Sequence, residues 1–115
     1  MNLQAPARPN ARSERLYDLA AVLRSKNAGP LFLTFDVIFD DLETYRRVID
    51  SGVLTPALIG ELYAMSSSDV QIMPFEAARA IKITIPRHGP TSGAPGDRDV
   101  YGAQQHAPLI DILIP

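Results

Sequence analysis

Cysteine is absent from this sequence, and histidine occurs only twice, at His88 and His106. The missing thiols exclude a disulfide framework, a zinc ribbon and a cysteine nucleophile. Two histidines are too few for a metal site built from imidazoles within one chain, so neither a metal nor a cofactor is expected. Apolar runs are short, and none approaches the ~20 residues needed to span a bilayer. The first ten residues carry no apolar signal core, so a cytoplasmic location is expected. No stripe of lysine and arginine appears either, which removes the electrostatic footprint of a nucleic-acid binder. Phosphate-cradling and dinucleotide glycine motifs are missing, as is a Ser-His-Asp order.

What remains is a chain of 115 residues, 46% hydrophobic and 21% charged, with a net charge of −2. A chain of this mass buries about two-thirds of its unfolded surface, enough for one core and one domain. Charge is unevenly distributed. Residues 1–29 carry five basic and two acidic side chains, residues 30–76 two basic and eight acidic, and residues 77–115 four basic and three acidic. Such segregation is read either as a solvated acidic face or as a basis for self-association.

Pro6 and Pro9 break any period in residues 1–12, which read as a flexible N-terminal arm, leaving 13–115 as the domain. Ser13 as N-cap, then Leu16, Leu19, Ala20 and Leu23 at helical spacing, predict a helix that stops at Asn27-Ala28-Gly29-Pro30. Leu31 to Phe39 alternates as a central strand, with Thr34 and Asp36 facing away from Leu33, Phe35 and Val37. Asp40-Asp41-Leu42-Glu43 starts a helix that buries Leu42, Tyr45, Val48 and Ile49 and ends at Gly52. Thr55-Pro56 starts another, with Leu58, Ile59, Leu62 and Tyr63 as its stripe. A turn at 66–69 leads to a strand from Val70 to Met73, stopped by Pro74. Residues 75–79 make either one helical turn or a bulge. Ile81, Ile83 and Ile85 alternate in a strand ending at Pro86. A proline- and glycine-rich loop spans 86–100. A short helix over 101–107 and a strand over 109–114 complete an α+β two-layer sandwich, with a mainly antiparallel sheet and helices on one face. The apolar closing strand, as an open edge, predicts a homo-oligomer.

Two polar segments stand out. Arg24-Ser25-Lys26-Asn27, at the end of the expected first helix, is either a basic cap or an anion site in which guanidinium, hydroxyl, ammonium and amide converge. Asp97-Arg98-Asp99-Val100-Tyr101, followed by Gln104-Gln105-His106, is either an ion-paired loop or a ligand-facing one. In the second case Arg98, Asp99, Tyr101 and Gln105 bind the ligand, and Asp97 and His106 are the catalytic acid–base candidates.

The stretches Arg24–Pro30, Phe39-Asp40-Asp41, Ser51–Thr55, Ala80–Arg87 and Pro95–Pro108 resemble a small bacterial family of unknown function. Members of that family accompany larger proteins of the acyclic terpene utilisation (AtuA-like) type. The resemblance implies an accessory subunit acting with an AtuA-like large subunit on an organic acid or acyl-CoA. It also implies hydratase or lyase chemistry at a subunit junction. The early motif is similar as well to Arg-Ser-Gly-Asp-Lys-Gly-Asp in the C-terminal ferredoxin-fold domain of AtuA-like proteins. This chain keeps Arg24 and Ser25 but carries Lys26-Asn27-Ala28 where that domain has Gly-Asp-Lys. That likeness implies a ferredoxin-like fold. The alternative to an enzyme subunit is a non-catalytic, self-associating binding module.

Overall fold

The computed structural model describes residues 13–87 and 107–115. The central strand expected at 31–39 is present as β3, Phe32–Ile38, and it is flanked on both sides. Strand β2, Val22–Asn27, pairs antiparallel with it from Val22↔Ile38 to Asn27↔Leu33. On the other side lies β5, Ala80–Pro86, followed by β4, Gln71–Phe75, at the far edge. The sheet order β2-β3-β5-β4 is antiparallel throughout. A second, two-stranded antiparallel sheet joins β1, Glu14–Arg15, to β6, Leu113–Ile114.

Alternation explains the layering. Leu33, Phe35 and Val37 of β3 and Ile81, Ile83 and Ile85 of β5 are buried on one face. They form a single core with Leu16 of α1 (Leu16–Leu19), Tyr45 and Val48 of α2 (Leu42–Ser51), Ile59 of α3 (Pro56–Leu62) and Leu109 of α4 (Ala107–Ile110). Among the described residues the protein is thus a mixed α+β domain whose four α-helices all contribute to the core that covers one face of the larger sheet. Phe35 and Tyr63 rings stack with centroids 5.2 Å apart, and burial pushes the Tyr63 phenol up.

The helix starts follow their caps. Asp41 accepts from the Thr44 N–H at 2.7 Å, and Thr55 Oγ1 accepts from the Leu58 N–H at 3.1 Å with Pro56 next to it. Gly52 ends α2 in the left-handed region, φ 67°. Helix α3 presses closely on the next turn: a Cβ added at Gly60 would lie 2.7 Å from the Met65 carbonyl oxygen.

Five expectations are corrected. The helix from Ser13 to Asn27 is not formed: only Leu16–Leu19 are helical, and 22–27 is strand β2. The ambiguity lies in Asn27-Ala28-Gly29-Pro30. A left-handed glycine serves a helix C-cap and a hairpin turn alike, and Gly29, φ 76°, turns β2 into β3, where the Ala28 N–H donates to the Phe32 carbonyl at 2.9 Å. Leu42 and Ile49 of α2, and Leu62 of α3, are exposed rather than buried. Pro74 does not stop its strand, because β4 is an edge strand, where a residue without an N–H is tolerated. The segment 109–114 is not one strand. It turns from α4 into a two-residue β6, which pairs with Glu14–Arg15 and buries Ile114 while Leu113 stays exposed. Residues 75–79 do contain one helical turn, Glu76–Ala78, of the 3₁₀ type. Chain order also differs from the βαββαβ of a ferredoxin-like domain, since α2 and α3 together form one crossover between β3 and β4.

Candidate functional site

Cross-strand partners share a sheet face. The face opposite the core therefore carries rows that the register defines. One row is Arg24, Asp36, Lys82 and Met73, and the next is Lys26, Thr34, Thr84 and Gln71. Apolar rows lie to either side: Val22, Ile38, Ala80 and Phe75 on one, Phe32 and Pro86 on the other. Phe32, Met73 and Phe75 are exposed.

The charged row centres on one carboxylate. Asp36 Oδ2 lies 3.2 Å from Arg24 Nε and 3.9 Å from Lys26 Nζ, and its side chain is only 18% exposed. Lys82 stands opposite Asp36 in the register and has no ion pair of its own among the described residues. Two cations thus share one acid and a third lies beside it in the register, which leaves an excess of positive charge at the centre of this face.

Beside this row a groove of about 870 Å³ reaches Thr34, Thr84, Gln71, Lys82, Phe32 and Pro86. Its size is that of a small-molecule site. Thr34 is 2% exposed, and its Oγ1 has no hydrogen-bond partner among the described residues. Asp69 and Arg87 also line the groove, and the Arg87 guanidinium donates to Asn27 Oδ1. The described residues contain no group of three or more histidine, aspartate or glutamate side chains placed to hold a metal.

Of the expected site residues, Arg24 and Lys26 come together on the outer face. Ser25 and Asn27 do not join them. On a strand, alternate side chains point to opposite faces, so Ser25 is buried toward the core and Asn27 lies partly buried against Arg87. The four-group convergence expected from a helix end is therefore replaced by a two-cation pair. Asp97, Arg98, Asp99, Tyr101, Gln105 and His106 lie outside the described residues. The sequence places Thr34 and Asp36 on the strand face away from Leu33, Phe35 and Val37 without marking either as a site residue, and it does not single out Lys82 or Thr84. The signal for them is the alternation Val22-Arg24-Lys26, which is overlooked once 16–27 is read with a helical period.

These features define an α+β domain with one face closed over a core and the other presenting cations beside a polar-floored groove. Residues 16–113 match the family described as a domain of unknown function, DUF4387, and the chain belongs to that family. No curated protein and no solved structure matches it. No helix among the described residues is long and apolar enough to cross a membrane.

Proposed function

We propose that this chain is a small accessory subunit whose outer sheet face supplies cations to a carboxylate or acyl-CoA ligand. The observation that carries the reading is the pairing of Arg24 and Lys26 with Asp36, with Lys82 opposite it in the register, on the outer face. Cations in excess over their acid retain attraction for an incoming anion. The resemblance of the late and early motifs supports an AtuA-like large subunit as partner, with hydration or elimination as the chemistry of the assembly. In this reading the polar run 97–106 keeps the role its sequence assigns, with Asp97 and His106 as the acid–base groups.

The sheet order also supports a ferredoxin-like relationship in permuted form. The neighbours β4-β5-β3-β2 are those of a ferredoxin-like sheet whose chain has been opened between its first and second strands. The β1–β6 pair then lies where the opened ends meet.

The alternative is a self-associating binding module without chemistry. The position of β2 and β4 at the two ends of the sheet order among the described residues, and the exposed Phe32, Met73 and Phe75, favour it. Sedimentation of the tagged chain co-expressed with an AtuA-like protein separates the two. A co-sedimenting complex that is lost in Arg24→Glu/Lys26→Glu supports the subunit reading. A chain that sediments only with itself, whatever its outer-face charge, overturns it in favour of the module.

A further inference from the structure

We infer that the outer-face groove is a binding site for a small monocarboxylate with a short apolar tail, and that the Thr34 hydroxyl is the hydrogen-bond donor built to hold the carboxylate. This rests on the reading of the outer face as anion-binding and specifies its ligand.

Thr34 carries the argument. It occupies the middle of the central strand, between Lys26 and Thr84 in the register, and is almost wholly buried. A position of that kind that needed only packing would be filled by valine, which has the same branched shape and equally good strand propensity. A hydroxyl there is a liability unless paired, because a buried polar group without a partner is destabilising. Its neighbours do not relieve it: among the described residues no acceptor or donor meets Oγ1. The groove reaches this same residue. An acceptor in the groove would satisfy the hydroxyl, so the missing partner and the cavity are accounted for together.

The rows around Thr34 set the ligand's charge and shape. Lys82 lies in the adjoining row on β5 and lines the groove with no ion pair of its own among the described residues. It supplies the positive charge that favours a carboxylate over a neutral amide or alcohol. Thr84, directly opposite Thr34, offers a second hydroxyl at the same level. In the other direction along the strands the row is Phe32 and Pro86, which are apolar. A ligand spanning these three rows has an anionic head at Lys82 and Thr34 and a hydrocarbon tail at Phe32 and Pro86. Lys82 and Arg87 against Asp69 leave the lining with one net positive charge, the complement of a single carboxylate. A monocarboxylate therefore fits better than a dicarboxylate or a phosphate ester.

The test is calorimetric titration of the full chain with sodium isovalerate, with the neutral isostere isovaleramide and with inorganic phosphate, all at one ionic strength. Saturable binding of isovalerate is expected at one site per chain, with isovaleramide and phosphate each weaker by about tenfold or more, the range expected for one charge-assisted hydrogen bond. Thr34→Val and Lys82→Met should each weaken isovalerate by a similar factor, and Thr34→Ser should retain most of the affinity. Thr34→Val should keep its thermal midpoint or raise it, which separates lost binding from lost folding. Should Thr34→Val fail to fold, Thr34→Ser and Lys82→Met still decide the matter. Absence of saturable isovalerate binding, equal affinity for the amide, equal affinity for phosphate, or wild-type affinity in Lys82→Met would each overturn the inference. None of those results touches association with a larger subunit, which the sedimentation experiment reads separately.

Discussion

The inner and outer faces of β3 and β5 are made from the same two strands, one residue out of step. Leu33, Phe35, Val37, Ile81, Ile83 and Ile85 point inward and are no more than 3% exposed. Thr34, Asp36, Lys82 and Thr84 point outward onto a face that none of the buried helix side chains belongs to. Two of these outward residues are charged and two are hydroxylic, on strands whose inward residues are entirely apolar. The difference shows how a two-layer domain divides its labour. Period two lets one strand specify a core and present a ligand surface at once, and a one-residue slip would exchange the two.

The sharpest way to break that comparison is to attack the inner face. Phe35→Ala should lose about 3–5 kcal/mol of stability in urea unfolding, because it empties a fully buried site beside Tyr63. A loss below about 1 kcal/mol would mean that this face is not the core. Gly60→Ala comes next. Its new Cβ would crowd the Met65 carbonyl at 2.7 Å, a backbone atom that cannot swing aside, and a loss of about 1–3 kcal/mol is expected. If stability is unchanged, α3 does not pack on the 65–67 turn as described. Thr55→Ala removes the cap of α3 and should cost about 1 kcal/mol, checked by thermal unfolding against Thr55→Ser, which keeps the hydroxyl.

Outer-face changes should be milder for folding. The Arg24 side chain is 58% exposed, so Arg24→Ala should alter stability by no more than about 1 kcal/mol, and less at high salt. A loss comparable to that of Phe35→Ala would show that the outer face is structural and would remove its distinction from the inner one. The smallest effect is at Asp41. The Thr44 backbone N–H holds its carboxyl below the ordinary value of 3.8. Its stabilisation is therefore complete above about pH 3.8 and is lost as the pH falls through the lower, folded value. Asp41→Asn keeps a capping oxygen but cannot titrate, so its acid-unfolding curve should be shallower than that of the wild type. Identical curves would mean that the cap is not charge-assisted.

Much of the inner face was legible in the sequence. Leu33, Phe35 and Val37 alternate cleanly, and Ile81, Ile83 and Ile85 do the same, so strands and core follow from period alone. Asp41 and Thr55-Pro56 announce helix starts through local hydrogen bonding, which depends on neighbours and not on distant partners. Strand β2 was not legible. Leu16, Leu19, Ala20 and Leu23 fit a helical spacing, Gly29 suits either kind of stop, and only pairing with β3 makes 22–27 extended. The closing segment 109–114 was misread for the same reason, since its two-residue strand exists only by pairing with Glu14–Arg15.

The candidate site shared that fate. Arg24 and Lys26 were identified, but with helical neighbours instead of strand neighbours, so Ser25 and Asn27 were assigned to their side. Asp36 and Thr34 were placed on the strand's other face and Lys82 drew no attention, because their nearness to Arg24 and Lys26 depends on pairings from eight to about sixty residues apart in the chain. No local pattern encodes such a register.

The most direct test of the division between the two faces is a shift map from heteronuclear NMR during titration of the labelled full chain with sodium isovalerate. The account predicts perturbations centred on Thr34, Lys82, Thr84 and Gln71, with Ile59, Val48 and the methyls of Ile83 unmoved. Shifts centred instead on the core methyls, or spread evenly over both faces, would contradict it.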